Sequence, residues 1–205
     1  MSLFERWQGL IAQPLQFVRE QSLGECFGEG LPVEVLQALH GQPRFRSRLE
    51  QLLASHYQLA PLAHLVTPPA ADLPVLLLNP AQFERLPRLC GAIWHGSTLS
   101  REIRREVVNE LREGLGQEAF ALALANRQLG GAADLLREPA ELIDAIDRDG
   151  LTCVAAWLQA QPAELQGWLQ LRFAAPKGYS GRLPRDLEIV QTVAARLLAE
   201  ELAHE

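Results

Sequence analysis

Three cysteines in 205 residues are too few, and of the wrong parity, for a disulfide framework. Cys26, Cys90 and Cys153 also stand too far apart for a metal knuckle. Each has apolar neighbours and reads as a buried thiol. Long hydrophobic runs are lacking as well. A stretch such as Pro74-Val75-Leu76-Leu77-Leu78 is far too short to span a bilayer. The start of the chain brings Glu5 early and no apolar run, so no signal peptide is expected. Segments of constant repeat and long heptad runs are missing, which excludes solenoids and coiled coils. An excess of cations is missing too. The formal net charge is -6 and the isoelectric point is near 5.4, so the chain repels nucleic acid and anionic lipid unless a local patch reverses the field.

The usual chemical motifs are equally scarce. His40, His56, His64, His95 and His204 form no His-Glu-x-x-His pair and no close cluster with cysteine. Serine never occupies a Gly-x-Ser-x-Gly elbow. Cys90 and His95 are five residues apart and so do not share a turn face. Gly24, Gly28 and Gly30 lack a preceding strand, and Glu25 and Glu29 would repel a phosphate there. No catalytic residue, cofactor or metal is therefore expected, and an enzyme would need His and Asp/Glu brought together from distant helices.

Hydrophobic residues, at 48%, suffice for a sizeable core. Leucine and alanine abound, β-branched residues are sparse and period-two alternation is rare. The expectation is an all-α fold: a compact, irregular bundle of about eight or nine helices. Helices are expected over 3–13, 32–39, 44–59 and, after Asn79 as cap with Pro80 and Gln82, through Leu86, Leu89, Cys90, Ile93 and Trp94. Pro87 either kinks that helix or marks a later start. His95 then closes it as a cap or packed ring. A further helix from 97 or 98 to 113 should bury Leu99, Ile103, Val107 and Leu111. Others are expected over 117–129, from Pro139 to 146 or through to 158, after Pro162, and from Pro184 to about 202. A loop is expected at 177–181. Four prolines between 61 and 74 suggest a link. The division is then an N-terminal helical part over 1–73 and a main body over 74–205, packed as one unit.

Charge offers most of the binding candidates. Arg44, Arg46 and Arg48 make the one compact basic patch, better suited to an acidic protein than to nucleic acid. Arg101, Arg104 and Arg105 are interleaved with glutamates on the half-exposed 97–113 helix. Glu141, Asp144 and Asp147 form an acidic region, either a solvated face or a surface for a basic partner. Most aromatics fit apolar helix faces, whereas Trp7 and Tyr179 lie in less regular surroundings and are expected as interface anchors.

Two segments carry a resemblance. The first is Leu86-Pro87-Arg88-Leu89-Cys90-Gly91-Ala92-Ile93-Trp94-His95-Gly96, followed by Ile103-Arg104-Arg105. The second is Gly150-Leu151-Thr152-Cys153-Val154-Ala155-Ala156-Trp157-Leu158, then Gln161-Pro162 and Trp168-Leu169-Gln170-Leu171-Arg172-Phe173. In that order and at those distances, over roughly 80–175, they resemble the SctK family of type III secretion accessory proteins, called YscK or PscK in individual systems. The resemblance implies an all-helical cytoplasmic adaptor at the inner-membrane face of the injectisome. It would link the cytoplasmic domain of the SctD-like ring protein to the SctQ-like pod protein, and so indirectly to the SctL/SctN ATPase complex. The resemblance implies no catalytic residue, no cofactor and no membrane insertion. His95, Arg104 and Arg105 are the most motif-like positions. A chaperone for secreted substrates and an unrecognised helical enzyme are the competing expectations.

Overall fold

The computed structural model describes residues 2–27, 32–62, 67–132, 138–173 and 184–204. Among them there is no β-strand, and the fold is all-α, as composition predicts. In chain order the helices are α1 (Leu3–Ile11), α2 (Pro14–Phe17), α3 (Glu20–Glu25), α4 (Val33–His40), α5 (Arg46–Tyr57), α6 (Leu73–Leu77), α7 (Pro80–Trp94), α8 (Gly96–Arg101), α9 (Arg105–Leu115), α10 (Gln117–Ala125), α11 (Pro139–Ala160), α12 (Ala163–Phe173) and α13 (Arg185–His204). Single 3-10 turns precede α5 and follow α10. Four helices have six residues or fewer, so those of ordinary length agree with the expected eight or nine. The expected loop at 177–181, with Tyr179, lies outside the described residues, as do Gly28, Gly30 and His64.

The chain forms two units. One comprises 1–77 with 161–175, and the other 78–160 with 176–205. The N-terminal unit therefore takes α12 from far along the chain.

In that first unit, α1 opens on a reciprocal cap. Ser2 Oγ accepts from the Glu5 backbone N–H at 3.2 Å, and the Ser2 N–H donates to Glu5 Oε2 at 2.7 Å. The apolar stripe of α1 buries Trp7, which is only 1% exposed. Its ring meets Phe17 edge-on at 5.9 Å, and Phe17 meets Trp168 edge-on at 6.2 Å. Trp7 is thus a core residue and not the expected interface anchor. The Phe17 ring and the surrounding core give it a better apolar site than solvent. The Trp168 indole N–H donates to Ala60 O at 2.8 Å. Arg172 lies against Phe17 and Phe173, at 4.9 and 5.1 Å from their centroids, and donates to Phe17 O at 2.9 Å. Burial lowers its guanidinium to about 10, which leaves it charged at neutral pH.

Gly9 offers a simple control in this unit. It is an exposed α1 residue, and a Cβ there would meet nothing within 4 Å. Gly9→Ala should raise stability by about 0.5–1 kcal/mol, read as a higher melting temperature.

In the second unit, Asn79 caps α7 as expected. Asn79 Oδ1 accepts from the Gln82 N–H at 2.9 Å, and the Asn79 N–H donates to Gln82 Oε1 at 2.9 Å. The helix starts at Pro80 and runs through Pro87. Helix α11 is continuous over 22 residues, so 147–150 does not interrupt it. These two helices cross where Gly91 faces Gly150. A Cβ on Gly91 would overlap the Ile146 carbonyl, and one on Gly150 would overlap the Pro87 carbonyl. Helix α13 packs on both with Ile189, Val190, Val193, Ala194 and Leu197, none more than 1% exposed. Asp186, fully buried in its first turn, accepts from the Cys153 thiol at 3.3 Å. Burial, with the Asp186 charge adding to it, raises the Cys90 thiol well above its usual range. Cys90 and Cys153 are buried as expected, whereas Cys26 is half-buried.

Candidate functional site

The helix expected over 97–113 is broken. Helix α8 ends at Arg101, the chain is extended at Glu102 and Arg104, and α9 begins at Arg105. The break turns Ile103 outward, and it is 90% exposed where the spacing had placed it in the core. Glu102 explains the departure. Its Oε1 accepts from the Arg104 backbone N–H at 2.8 Å and from Arg104 Nε at 3.0 Å, while Oε2 accepts from Arg104 Nη2 at 2.8 Å. A side chain that bonds the backbone two residues on competes with the helical ladder and wins here. The remaining periodicity survives in pieces: Leu99 and Leu111 are buried, and Val107 is half-buried.

The hydrogen bonds from the Arg104 side chain and backbone pull the Glu102 carboxyl down to about 2. Its folded value thus lies below its unfolded one. The clamp contributes stability above the ordinary carboxylate range, and that contribution is lost as pH falls toward about 2. In an NMR titration, the Arg104 amide should therefore hold its position at pH 5 and move only in strong acid. Movement around the ordinary glutamate range would mean that the clamp does not hold in solution.

Of the candidate residues, Arg44, Arg46 and Arg48 are exposed in the first unit, with Arg44 stacked on Phe45 at 4.7 Å. In the second unit Arg101, Arg104 and Arg105 are exposed around the break, and Glu141 and Asp144 are exposed on α11. Asp147 is half-buried and already engaged. Arg88 donates to its two carboxylate oxygens at 2.9 and 2.6 Å, which raises the Arg88 guanidinium above its usual value. Asp144 and Asp147 are therefore not equivalent acids on one free face. His95 is fully buried at the C-terminal end of α7, and its Nε2 donates to Asp149 Oδ2 at 2.8 Å. It acts as the packed cap that the sequence suggested.

Beside these lies a groove of about 600 Å³ in the second unit. Pro87, Leu89, Leu115, Ala119 and Leu151 supply its apolar lining. The Arg88–Asp147 pair and the Arg85–Glu118 pair, at 2.6 Å, sit at its rim. Both pairs are solvent-exposed, and each contributes at most about 1 kcal/mol. The Glu102 clamp, the exposure of Ile103 and the rim residues Arg85, Arg88 and Glu118 were missed by sequence reading, whereas Asp147 was among its candidates. The near-perfect four-residue spacing hid the break, and pairing between separate helices leaves no local signal.

No protein-family profile matches the chain. No solved structure matches it. It is similar to a nodulation protein. Over 100 residues it is 30% identical to nodulation protein NolU of Rhizobium fredii, and the same holds for NolU of Sinorhizobium fredii. The match takes in 49% of this chain and 46% of each NolU, so the chain spans about half the length of the curated relatives it matches. Among the described residues no helix is long and apolar enough to cross a membrane.

Proposed function

We propose that this chain is a protein-binding adaptor of a type III secretion sorting platform, similar to SctK. It would join the cytoplasmic domain of an SctD-like ring protein to an SctQ-like pod protein, and through it to the SctL/SctN ATPase complex. The observation that carries the reading is the surface at the α8–α9 break. It presents an exposed aliphatic side chain and exposed arginines, while Leu99 and Leu111 on either side are core residues. A helix pair built only for stability gains nothing from such an arrangement. The ordered resemblance of 80–175 to the SctK stretches supports the same reading. The two similar proteins come from rhizobia, and a bacterial setting is what an injectisome component requires.

Arg104 is committed to Glu102, so its reversal would break the clamp as well as the surface. Arg101 and Arg105 make the cleaner test. The double variant Arg101→Glu, Arg105→Glu should bind the pod protein or the ring domain at least tenfold more weakly at low salt, with unchanged circular dichroism. Titration of the purified chain against each partner measures this. Binding to neither would refute the adaptor, and binding to secreted substrates alone would make the chain a chaperone.

A further inference from the structure

Arg44, Arg46 and Arg48 stand in the 3-10 turn Pro43–Phe45 and the first turn of α5, and all three are exposed. Arg44 stacks on Phe45, and none of the three makes an ion pair among the described residues. They do nothing for the helix that follows. Cations in a first turn oppose the helix dipole, and α5 has neither an acid nor a side-chain cap there to offset them. Acids also keep away from this corner. The chain holds no Asp or Glu from Arg6 to Arg19 or from Val35 to Leu49, and these stretches supply α2, the 3-10 turn and the start of α5, which pack together. Glu34 opens α4, whereas the arginines follow the end of that helix. Glu25 accepts from the Tyr57 hydroxyl at 2.8 Å, at the far end of α5. Among the described residues the acid at this corner is Glu50, half-buried beside Arg46 in a cleft. That cleft measures about 200 Å³ and is lined by Gln13, Leu15, Gln16, Gly41, Arg46 and Glu50. Pockets for whole small molecules run to about 300–1,000 Å³, so this one suits a single side chain or a short stretch of backbone. The Gln13 and Gln16 side-chain amides make no hydrogen bond among the described residues.

We infer that this corner of the first unit docks an acidic, extended segment of a protein partner. Each guanidinium can donate two parallel bonds to a carboxylate of the segment. The backbone of such a segment brings N–H donors and carbonyl acceptors together. Glu50 and the two glutamine amides can accept from the first, and the amides and Arg46 can donate to the second. Nucleic acid and an anionic membrane fit less well. Both reach far past three arginines, and the rest of a chain of net charge -6 repels them. The inference goes beyond the adaptor reading and does not depend on it, since the α8–α9 surface belongs to the other unit.

The test selects a random library of displayed peptides on the full chain and measures the affinity of the enriched ones by fluorescence anisotropy. Enriched sequences should carry clustered Asp or Glu. Their binding should fall about tenfold or more in the triple variant Arg44→Ser, Arg46→Ser, Arg48→Ser, and should weaken as salt rises. Lysine at the same three positions keeps the charge but loses the fork, so it should weaken binding less than serine does. The pair Gln13→Ala, Gln16→Ala should weaken it as well. Because the arginines are exposed and oppose the dipole of α5, the triple serine variant should keep or raise the melting temperature, so its effect cannot come from misfolding. No enrichment, enriched peptides without acids, or peptides indifferent to the triple serine variant would each overturn the inference. So would tighter binding of a DNA duplex or of phosphatidylserine vesicles that the triple serine variant abolishes. Ring and pod proteins titrated against the same chains separate the two readings. If they bind the triple serine variant unchanged while acidic peptides do not, the corner serves another partner and the adaptor stands. If neither binds the wild-type chain while acidic peptides do, the adaptor falls and the acidic docking corner stands.

Discussion

Gly91→Ala and Gly150→Ala should each destabilise the second unit by about 4 kcal/mol or more, enough to unfold it near physiological temperature. Overpacking a core with an extra methyl group usually costs about 1–3 kcal/mol, because side chains shift to make room. Here the atoms in the way are backbone carbonyls, Ile146 O for one glycine and Pro87 O for the other. Neither can move without separating α7 from α11, and α13 packs on both. Far-UV circular dichroism on heating should show the transition lowered by many degrees or lost. Gly9→Ala, the same chemical change at an open site, should move the midpoint slightly the other way. Wild-type stability in either crossing variant would mean that the two helices do not approach as closely as described.

Trp168→Ala should cost the first unit about 3–5 kcal/mol. The substitution removes a side chain 2% exposed, its edge contact with Phe17, and the indole N–H donated to Ala60 O. It also opens a cavity beside Phe17, which the short helix α2 can fill only in part. Hydrogen exchange resolved along the chain should show amides of α1, α2 and α5 losing protection. Protection unchanged in those helices would remove Trp168 from the core of that unit.

Much of the fold was legible because its signals are local. Asn79, Pro80 and Gln82 announce the start of α7, and the cap forms as the residue types require. Pro139, Pro162 and Pro184 stand at or just before the starts of α11, α12 and α13. The buried state of Cys90 and Cys153 followed from their apolar neighbours. The candidate site was only half legible. Arginines at 101, 104 and 105 were visible as charge, but their roles diverge. Arg104 is drawn into the clamp, and Arg101 and Arg105 are left exposed. Ile103 was misplaced because leucine, isoleucine and valine every fourth residue fit a continuous helix equally well. Trp7 was misplaced for the opposite reason, since the ring that meets it, Phe17, comes from a separate helix, α2.

The sequence by itself determined the helical class, most helix starts and the residue types that would be buried. Those depend on propensity, capping and period, which act over a few residues. Only the tertiary structure decided that α12 joins the N-terminal unit, that two glycines meet at the α7–α11 crossing, and that Glu102 turns Ile103 out to solvent. The first two depend on contacts between residues distant along the chain. The third depends on a near balance between one carboxylate and the helical ladder, which the bonds from Arg104 to Glu102 tip toward the break.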